Sequence, residues 1–514
     1  MMKKIVGLAL SGFFVLVSVG AMAQTYAEEA LLFSRISPGG SARIQAMGGS
    51  QVALGGDYST AFSNPAGLGF FNKSEGSISL GTNFYNATSN YLGNITTDSK
   101  SNFNIPGFSL VLHSDKSNGK LVSGNFALSF SRTNNFNQNF SYKGVNNNNS
   151  LIDYFIERSN GYYPEQFRQN GSSYNDVTRL GFSNYLFGPV SEVIPKGDSS
   201  RYHTYANQVP LQHERVQLSG AQNQFNVSYG LNFNDFFYLG ATVGFPSFNY
   251  HSQKAYSETF PGGPLFGFNL NEDYTIKGSG INTTIGAIVR PVDFVQFGLS
   301  VATPTYFYSV SDNYSATLAS GWNNYRYVDT TYMSKTSVIN GFRDSITQIV
   351  SNYTLTTPWR IKAGATFFIK KHALITGELE NVNYSKSKFS SQTDGLDLSA
   401  DNQEIKTTYK SVLNIRLGGE YRFDKFRARL GYSYMPDPYA VQNKIDNTIT
   451  SLSIGFGYRT DKYFVDLAVV DTQWNSSYHP YSIDTKNYPQ HGFTPVAKIQ
   501  NTNTSVMVTV GLTL

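Results

Sequence analysis

Along much of the chain, apolar residues alternate one by one with small or polar ones. From Gln224 to Asn234, Phe225, Val227, Tyr229, Leu231 and Phe233 hold the odd positions, and Asn226, Ser228, Gly230 and Asn232 the even ones. Successive strand residues point to opposite faces, so such a segment carries one greasy face and one polar face. The same pattern sets Phe126, Leu128 and Phe130 against Ala127, Ser129 and Ser131, and Leu452, Ile454, Phe456 and Tyr458 against Ser451, Ser453, Gly455 and Gly457. The last residues repeat it: Val506, Val508, Val510, Leu512 and Leu514 alternate with Met507, Thr509, Gly511 and Thr513.

The alternation predicts fourteen strands, near 77–85, 104–114, 120–132, 222–234, 236–246, 273–290, 294–308, 356–369, 372–384, 410–423, 426–435, 448–459, 462–472 and 503–514. Short connections at 115–119, 234–235, 290–293, 370–371, 424–425 and 459–462 take turns with long ones, including 133–221, 309–355 and 473–502. An even strand number with short turns at one end and long loops at the other reads as an all-β fold, a transmembrane antiparallel β-barrel. Its apolar face meets lipid and its polar face lines the lumen. Both termini then face the periplasm, and the loops 133–221 and 309–355 face outside. Aromatics near the short turns, Phe236, Phe237 and Tyr238, then Phe423 and Phe426, then Tyr458 and Tyr463, are expected to form an interfacial girdle.

Before the first strand, Lys3, Lys4, an apolar run from Ile5 to Val19 and the ending Ala21-Met22-Ala23 predict a cleavable secretory signal over 1–23. That run is too short for a spanning helix, so the membrane must be crossed by strands. Residues 24–72 alternate poorly and are rich in small residues, which suggests a plug or hatch, with the barrel over 73–514. Asn64-Pro65 sets a turn, and proline lacks an N–H, so this segment is expected to fold back into the lumen rather than join the sheet.

Composition narrows the chemistry. Only 15% of residues are charged, while the chain holds 38 Phe, 35 Tyr and 46 Gly and no Cys. Disulfides, thiolate metal sites and a cysteine nucleophile are therefore excluded. A formal net charge of +5 is too small at this length to suggest a nucleic-acid partner. Gly48-Gly49 and Gly55-Gly56 precede no Gly-Lys-Ser or Gly-Lys-Thr, the seven histidines lack ligand spacing, and no Gly-x-Ser-x-Gly elbow occurs. No cofactor, no metal and no enzymatic activity are expected.

Parity places Arg360, Lys362, Glu378, Glu380, Arg416, Glu420, Arg422, Arg427, Arg429 and Asp466 in the lumen. Opposite charges on adjacent strands hold a wall rigid. Cations outnumber acids in this set, so Arg360, Lys362, Arg416 and Arg429 are also candidates to receive a carboxylate. In the longest loop, Leu151 with Phe155 and Ile152 with Ile156 have the spacing of a helix with an apolar stripe. That stripe either packs on its own loop or forms a surface groove for a greasy ligand.

The run Ser41-Ala42-Arg43-Ile44-Gln45-Ala46-Met47-Gly48-Gly49, followed by Asn64-Pro65-Ala66-Gly67-Leu68, resembles the FadL/TodX-type outer-membrane transporter family. Thr357-Pro358-Trp359-Arg360, Glu378-Leu379-Glu380-Asn381-Val382-Asn383-Tyr384-Ser385 and the hairpin Ile454 to Val470 extend the resemblance over nearly all of the chain after the signal. The most specific element is Asn64-Pro65-Ala66. The loop around Leu151 is similar to the Bacteroidetes variant. The resemblance implies a monomeric fourteen-stranded barrel in the outer membrane, its lumen plugged by an N-terminal hatch, carrying long-chain fatty acids or other hydrophobic small molecules inward. It also implies a lateral opening at a kink in the third strand, where Gly124-Asn125 stand in this sequence. A more distant resemblance to the adaptor barrel of type IX secretion keeps a protein partner open, and a nonspecific porin is a further alternative.

Overall fold

The computed structural model describes residues 26–116, 119–168, 176–189, 202–204, 206, 209–329, 335–392, 396–441 and 445–514. The expected signal, 1–23, lies outside the described residues. Fourteen strands run antiparallel, each to its neighbour, and the sheet closes on itself. They are β1 Glu75–Tyr91, β2 Asn94–Asp115, β3 Leu121–Asn135 continued by Gln138–Val145, β4 Leu211–Phe233, β5 Phe237–Thr259, β6 Leu265–Val292 and β7 Val295–Ala302 continued by Tyr306–Asp329. Then follow β8 Lys335–Thr356 continued by Arg360–Ile369, β9 Ala373–Asn383 continued by Lys388–Ser391, β10 Ser411–Phe423, β11 Phe426–Met435, β12 Ile449–Arg459, β13 Tyr463–Tyr478 and β14 Ala497–Thr513. Closure is by β1 on β14, from Glu75 opposite Thr513 to Tyr91 opposite Ala497.

The expected alternation becomes a lipid-facing wall. Phe108, Leu110, Ile285, Leu299, Leu452 and Ile454 are exposed on the outside, whereas Asn226, Ser228, Ser129 and Ser453 are buried within. The short turns are tight: Asn234 and Asp235 both take left-handed backbone (φ 55° and 56°), as a two-residue hairpin of this twist requires. Phe236, Phe423, Phe426 and Tyr463 are exposed at that end, but Tyr238, expected beside them, points inward and stacks on Phe70 with centroids 3.9 Å apart. It shares inward parity with Gly240 and Thr242.

The strands run farther than expected at the opposite end. Much of 309–355, expected as a loop, is the tall hairpin of β7 and β8, and β6 begins at Leu265. The reason is an inversion of pattern. In the lower part of β6, Ile281 and Ile285 point outward into lipid; higher up, Asn271 and Lys277 point outward, and Leu270, Tyr274 and Ile276 point inward. The backbone keeps its register while the apolar residues change faces. Above the membrane the outer face meets water, so the sheet acquires an apolar interior like that of a water-soluble protein.

Candidate functional site

The N-terminal segment, residues 26–71, occupies the lumen. It holds the helices α1 Tyr26–Ser34, α2 Ala42–Gln45 and α3 Thr60–Ser63 and a 3-10 turn, Pro65–Phe70. Ser41 caps α2 through its hydroxyl, and Asn64 caps the 3-10 turn, with proline at the first turn position. The Asn64 side chain is fully buried; it accepts from Ala66 N (3.2 Å) and donates to Val52 O (2.6 Å) and, across to β6, to Ala287 O (3.2 Å). Two wall glycines make room for this turn. A Cβ on Gly286 would stand 1.8 Å from Asn64 Oδ1, and one on Gly240 2.2 Å from the Pro65 carbonyl carbon. Asn64, Pro65 and Ala66 thus meet the wall backbone itself.

The charges expected in the lumen come together as a buried network. Lys362 stands opposite Glu380 on the ladder, Glu378 opposite Arg416, and Glu420 opposite Arg429. Arg416 reaches Glu378 and Glu380, each at 2.7 Å, and Arg360 reaches Glu380 at 3.0 Å. Arg429 binds Glu420 at 2.7 Å and Asp466 at 2.5 Å. The N-terminal segment completes the network from inside: Glu378 Oε2 accepts from Gln51 N (2.9 Å) and Val52 N (3.0 Å), Lys362 lies 3.3 Å from Ser63 Oγ, and Arg360 donates to Ser34 O. Arg43, which the sequence does not single out, puts Nε 3.5 Å from Glu420 and donates to Gly56 O at 2.9 Å. All four expected carboxylate receivers, Arg360, Lys362, Arg416 and Arg429, are therefore held by acids of the wall. Arg427, also expected in the lumen, folds back onto its own turn and donates to Asp424 O at 2.6 Å.

Above this ionic floor lies an apolar core. It joins Ala27, Ala30 and Phe33 of α1 to Phe248, Ile276, Phe307 and Leu355 of the wall. Phe33 stacks on Phe248 with centroids 3.8 Å apart. Glu29, on the same helix, is buried and accepts from Tyr274 Oη (2.6 Å) and Tyr353 Oη (3.0 Å); burial raises its carboxyl to about 8.

The core is roofed by helices of the long loop, α4 Leu151–Ser159, α5 Pro164–Arg168 and α6 Val177–Ser183. Ser150 and Asp153 form a capping box at the start of α4, and Leu151 N there donates to Glu258 of β5 at 2.8 Å. The expected apolar stripe exists, but Ile152 and Phe155 are buried in the core and form no open surface groove. The connection between β13 and β14 clasps α4 from the side. His491 Nδ1 lies 2.6 Å from Glu157, and Asn149 Nδ2 donates to His491 O (2.7 Å) and Phe493 O (2.8 Å). The Glu157 contact raises the His491 imidazole above its ordinary range.

At Gly124 the ladder is regular, with Ser114 on one side and Leu231 on the other. Its glycine clears space for Tyr229, whose hydroxyl would lie 2.3 Å from a Cβ. Asn125 points inward and holds the end of the N-terminal segment, donating to Leu68 O (2.8 Å) and Phe71 O (3.2 Å). The β2–β3 ladder stops farther up the strands. Among the described residues, β2 and β3 pair only from Asp115 opposite Ser123 to Gly107 opposite Ser131. Beyond Pro106, which has no N–H to donate, side chains bridge the two edges: Asn135 Nδ2 to Asn102 Oδ1 at 3.3 Å and Ser141 Oγ to Asp98 Oδ2 at 2.7 Å. The Thr133 carbonyl accepts instead from the N-terminal segment, from Ser37 N (2.9 Å) and Ser37 Oγ (2.8 Å).

The fourteen-stranded barrel has solved counterparts. A FadL homologue of Pseudomonas aeruginosa matches 93% of this chain with 99% of its own, at 11% identity and a TM-score of 0.53. The toluene transporter TodX of P. putida (11% identity, TM-score 0.50) and the toluene transporter TbuX of Ralstonia pickettii (12%, 0.50) cover the same 93%. No protein-family model and no curated protein matches the sequence. The chain therefore has the FadL/TodX-type barrel fold that its motifs resemble.

Proposed function

We propose that the protein is an outer-membrane channel for passive uptake of hydrophobic small molecules such as long-chain fatty acids, with residues 24–72 as its hatch. The observation that carries this reading is the apolar lining of the lumen shared by helix α1, the wall and the roof helices α4 to α6. A nonspecific porin keeps a water-filled, polar lumen; here the lumen above the ionic floor is built of Phe, Tyr, Leu and Ile. A greasy cargo leaving water gains about 25 cal/mol for each Å² of apolar surface it buries against such a lining. The seam between β2 and β3 supplies an exit toward the bilayer, and Ser37 of the hatch closes it from inside. Cells lacking their own fatty acid uptake and expressing this chain should accumulate labelled oleate while staying closed to a small polar solute. Equal entry of both would make it a porin, and entry of neither would remove the channel reading.

A further inference from the structure

The short turns of the barrel are unequal in charge. Those between β2 and β3, β4 and β5, and β6 and β7 balance Lys116, Lys120 and Arg290 against Asp115, Asp235 and Asp293, and Arg290 is spent on Asp293 at 3.1 Å. The turn between β8 and β9 holds Lys370 and Lys371, and around the β10–β11 turn stand Arg422, Lys425 and Arg427. Arg459 and Lys462 flank the β12–β13 turn, and the acids of these three turns are Asp424 and Asp461 alone. Arg422 and Arg459 reach back to the lumen acids Glu420 (2.7 Å) and Asp466 (3.9 Å). Lys370, Lys371, Lys425 and Lys462 are exposed, and among the described residues no carboxylate lies within 4.0 Å of any of them. Arg427 donates to neutral carbonyls, those of Asp424 (2.6 Å) and Phe426 (2.8 Å). Backbone bonds lace the three turns into one rim: Arg422 N donates to His372 O (2.6 Å) and Arg459 N to Lys425 O (2.9 Å).

Beside this rim the lipid-facing wall is hollowed. On the outer face of β11, Ala428 stands opposite Tyr421 of β10 on one side and Phe456 of β12 on the other. One step nearer the turn, Phe426 stands opposite Phe423 and Tyr458. Its ring centroid lies 5.6 Å from that of Phe456 and 5.4 Å from that of Tyr458. One small side chain among large rings leaves a pocket of about 350 Å³, lined by Tyr421, Phe423, Phe426, Arg427, Ala428 and Phe456. The four rings are exposed on the outside of the barrel, so the pocket opens toward the bilayer and not the lumen.

A ligand matching both features has an apolar chain at the depth of the rings and an anion at the depth of the turns. A phospholipid of the adjoining leaflet carries the two at that spacing, and short turns put that leaflet on the periplasmic side. The unpaired cations select for net negative charge, because a zwitterionic head group brings its own ammonium against them. We propose that the lipid face of β10, β11 and β12 at the short-turn end is a binding site for an anionic phospholipid. One acyl chain fills the notch over Ala428, Lys425 and Arg427 hold the phosphodiester, and Lys370, Lys371 and Lys462 add to the attracting field. The site lies outside the wall and is independent of what passes through the lumen.

The test uses the full chain purified in detergent, its fold confirmed by heat-modifiable mobility, and native mass spectrometry with phosphatidylglycerol and phosphatidylethanolamine of identical acyl chains. The unaltered protein should retain phosphatidylglycerol about fivefold or more over phosphatidylethanolamine. Lys425→Gln with Arg427→Gln should bring the two lipids within about twofold, whereas Lys116→Gln with Lys120→Gln, the same charge change on a balanced turn, should leave the preference in place. Ala428→Leu fills the notch and should displace phosphatidylglycerol. Equal retention of both lipids by the unaltered protein overturns the site, as does an unchanged preference in the folded Lys425 and Arg427 variant. An equal loss in the Lys116 and Lys120 variant would mark net charge alone and overturn it too. Preference lost with Lys425 and Arg427 but phosphatidylglycerol held as before in Ala428→Leu would leave a charged surface suited to an acidic soluble protein, and the lipid site would fall.

Discussion

Arg43 of the hatch places its Nε 3.5 Å from Oε2 of Glu420, a wall residue that also binds Arg429 and Arg422 at 2.7 Å each. The N-terminal segment is thus fixed to the wall by charge as well as by packing. Removing one partner of a buried pair is costly where the other is left without a counter-charge, as Asp57, 4.0 Å from Arg43, would be. Glu420 keeps two other arginines, so Arg43→Ala should loosen the hatch more than the barrel. Expected are increased entry of a small polar solute and an unchanged heat-modifiable band. A tight barrel in the Arg43→Ala form would show that this contact holds nothing.

The Asn64 turn gives an independent handle on the same element. Gly286→Val would drive a side chain into Asn64, and Asn64→Ala would remove its bonds to Val52 O and Ala287 O. Each lost buried bond is worth about 1–3 kcal/mol. Both variants should expose the hatch to protease added from the periplasmic side. Resistance equal to that of the unaltered protein would place the anchoring elsewhere.

The seam can be locked. The chain has no cysteine, so Asn102→Cys with Asn135→Cys introduces the only thiols. Joining them by oxidation or a short bifunctional thiol reagent should suppress oleate uptake, and reductant should restore it. Uptake that persists across a demonstrated crosslink would exclude this route.

The roof should respond to pH. His491 has its folded value raised above the ordinary one of about 6.5, so its contact with Glu157 contributes fully below that ordinary value and is lost as pH rises through the raised one. Asp153, Glu157 and Tyr488 are the ionisable groups that face it. Hydrogen exchange over 479–496 should accelerate between pH 6 and pH 8.5, and His491→Gln should flatten that difference. An equal acceleration in the variant would assign the change to another group.

Strand number, inward parity and the wall's charged residues were all legible in the sequence, because one rule, greasy outward, holds throughout the membrane. The upper halves of β6, β7 and β8 escaped it where the rule reverses: Leu270 and Leu318 turn inward, so a test for outward apolar residues stops short. Tyr238 was misplaced by proximity to Phe236 although its parity pointed inward. Arg43 and Glu420 lie far apart in sequence, and no local pattern joins them. The bonds of Ser37 run to a backbone carbonyl, which leaves no trace in side-chain patterns.

The reversal along β6 has a consequence for how the molecule sits. Sliding the barrel deeper would press Asn271, Asp273 and Lys277 into hydrocarbon, and lifting it would bring Ile281 and Ile285 into water. Either displacement is opposed from its own side, so the wall has a single waterline. The membrane then presses on the strands only below the apolar core, and the wall floats at a fixed draught.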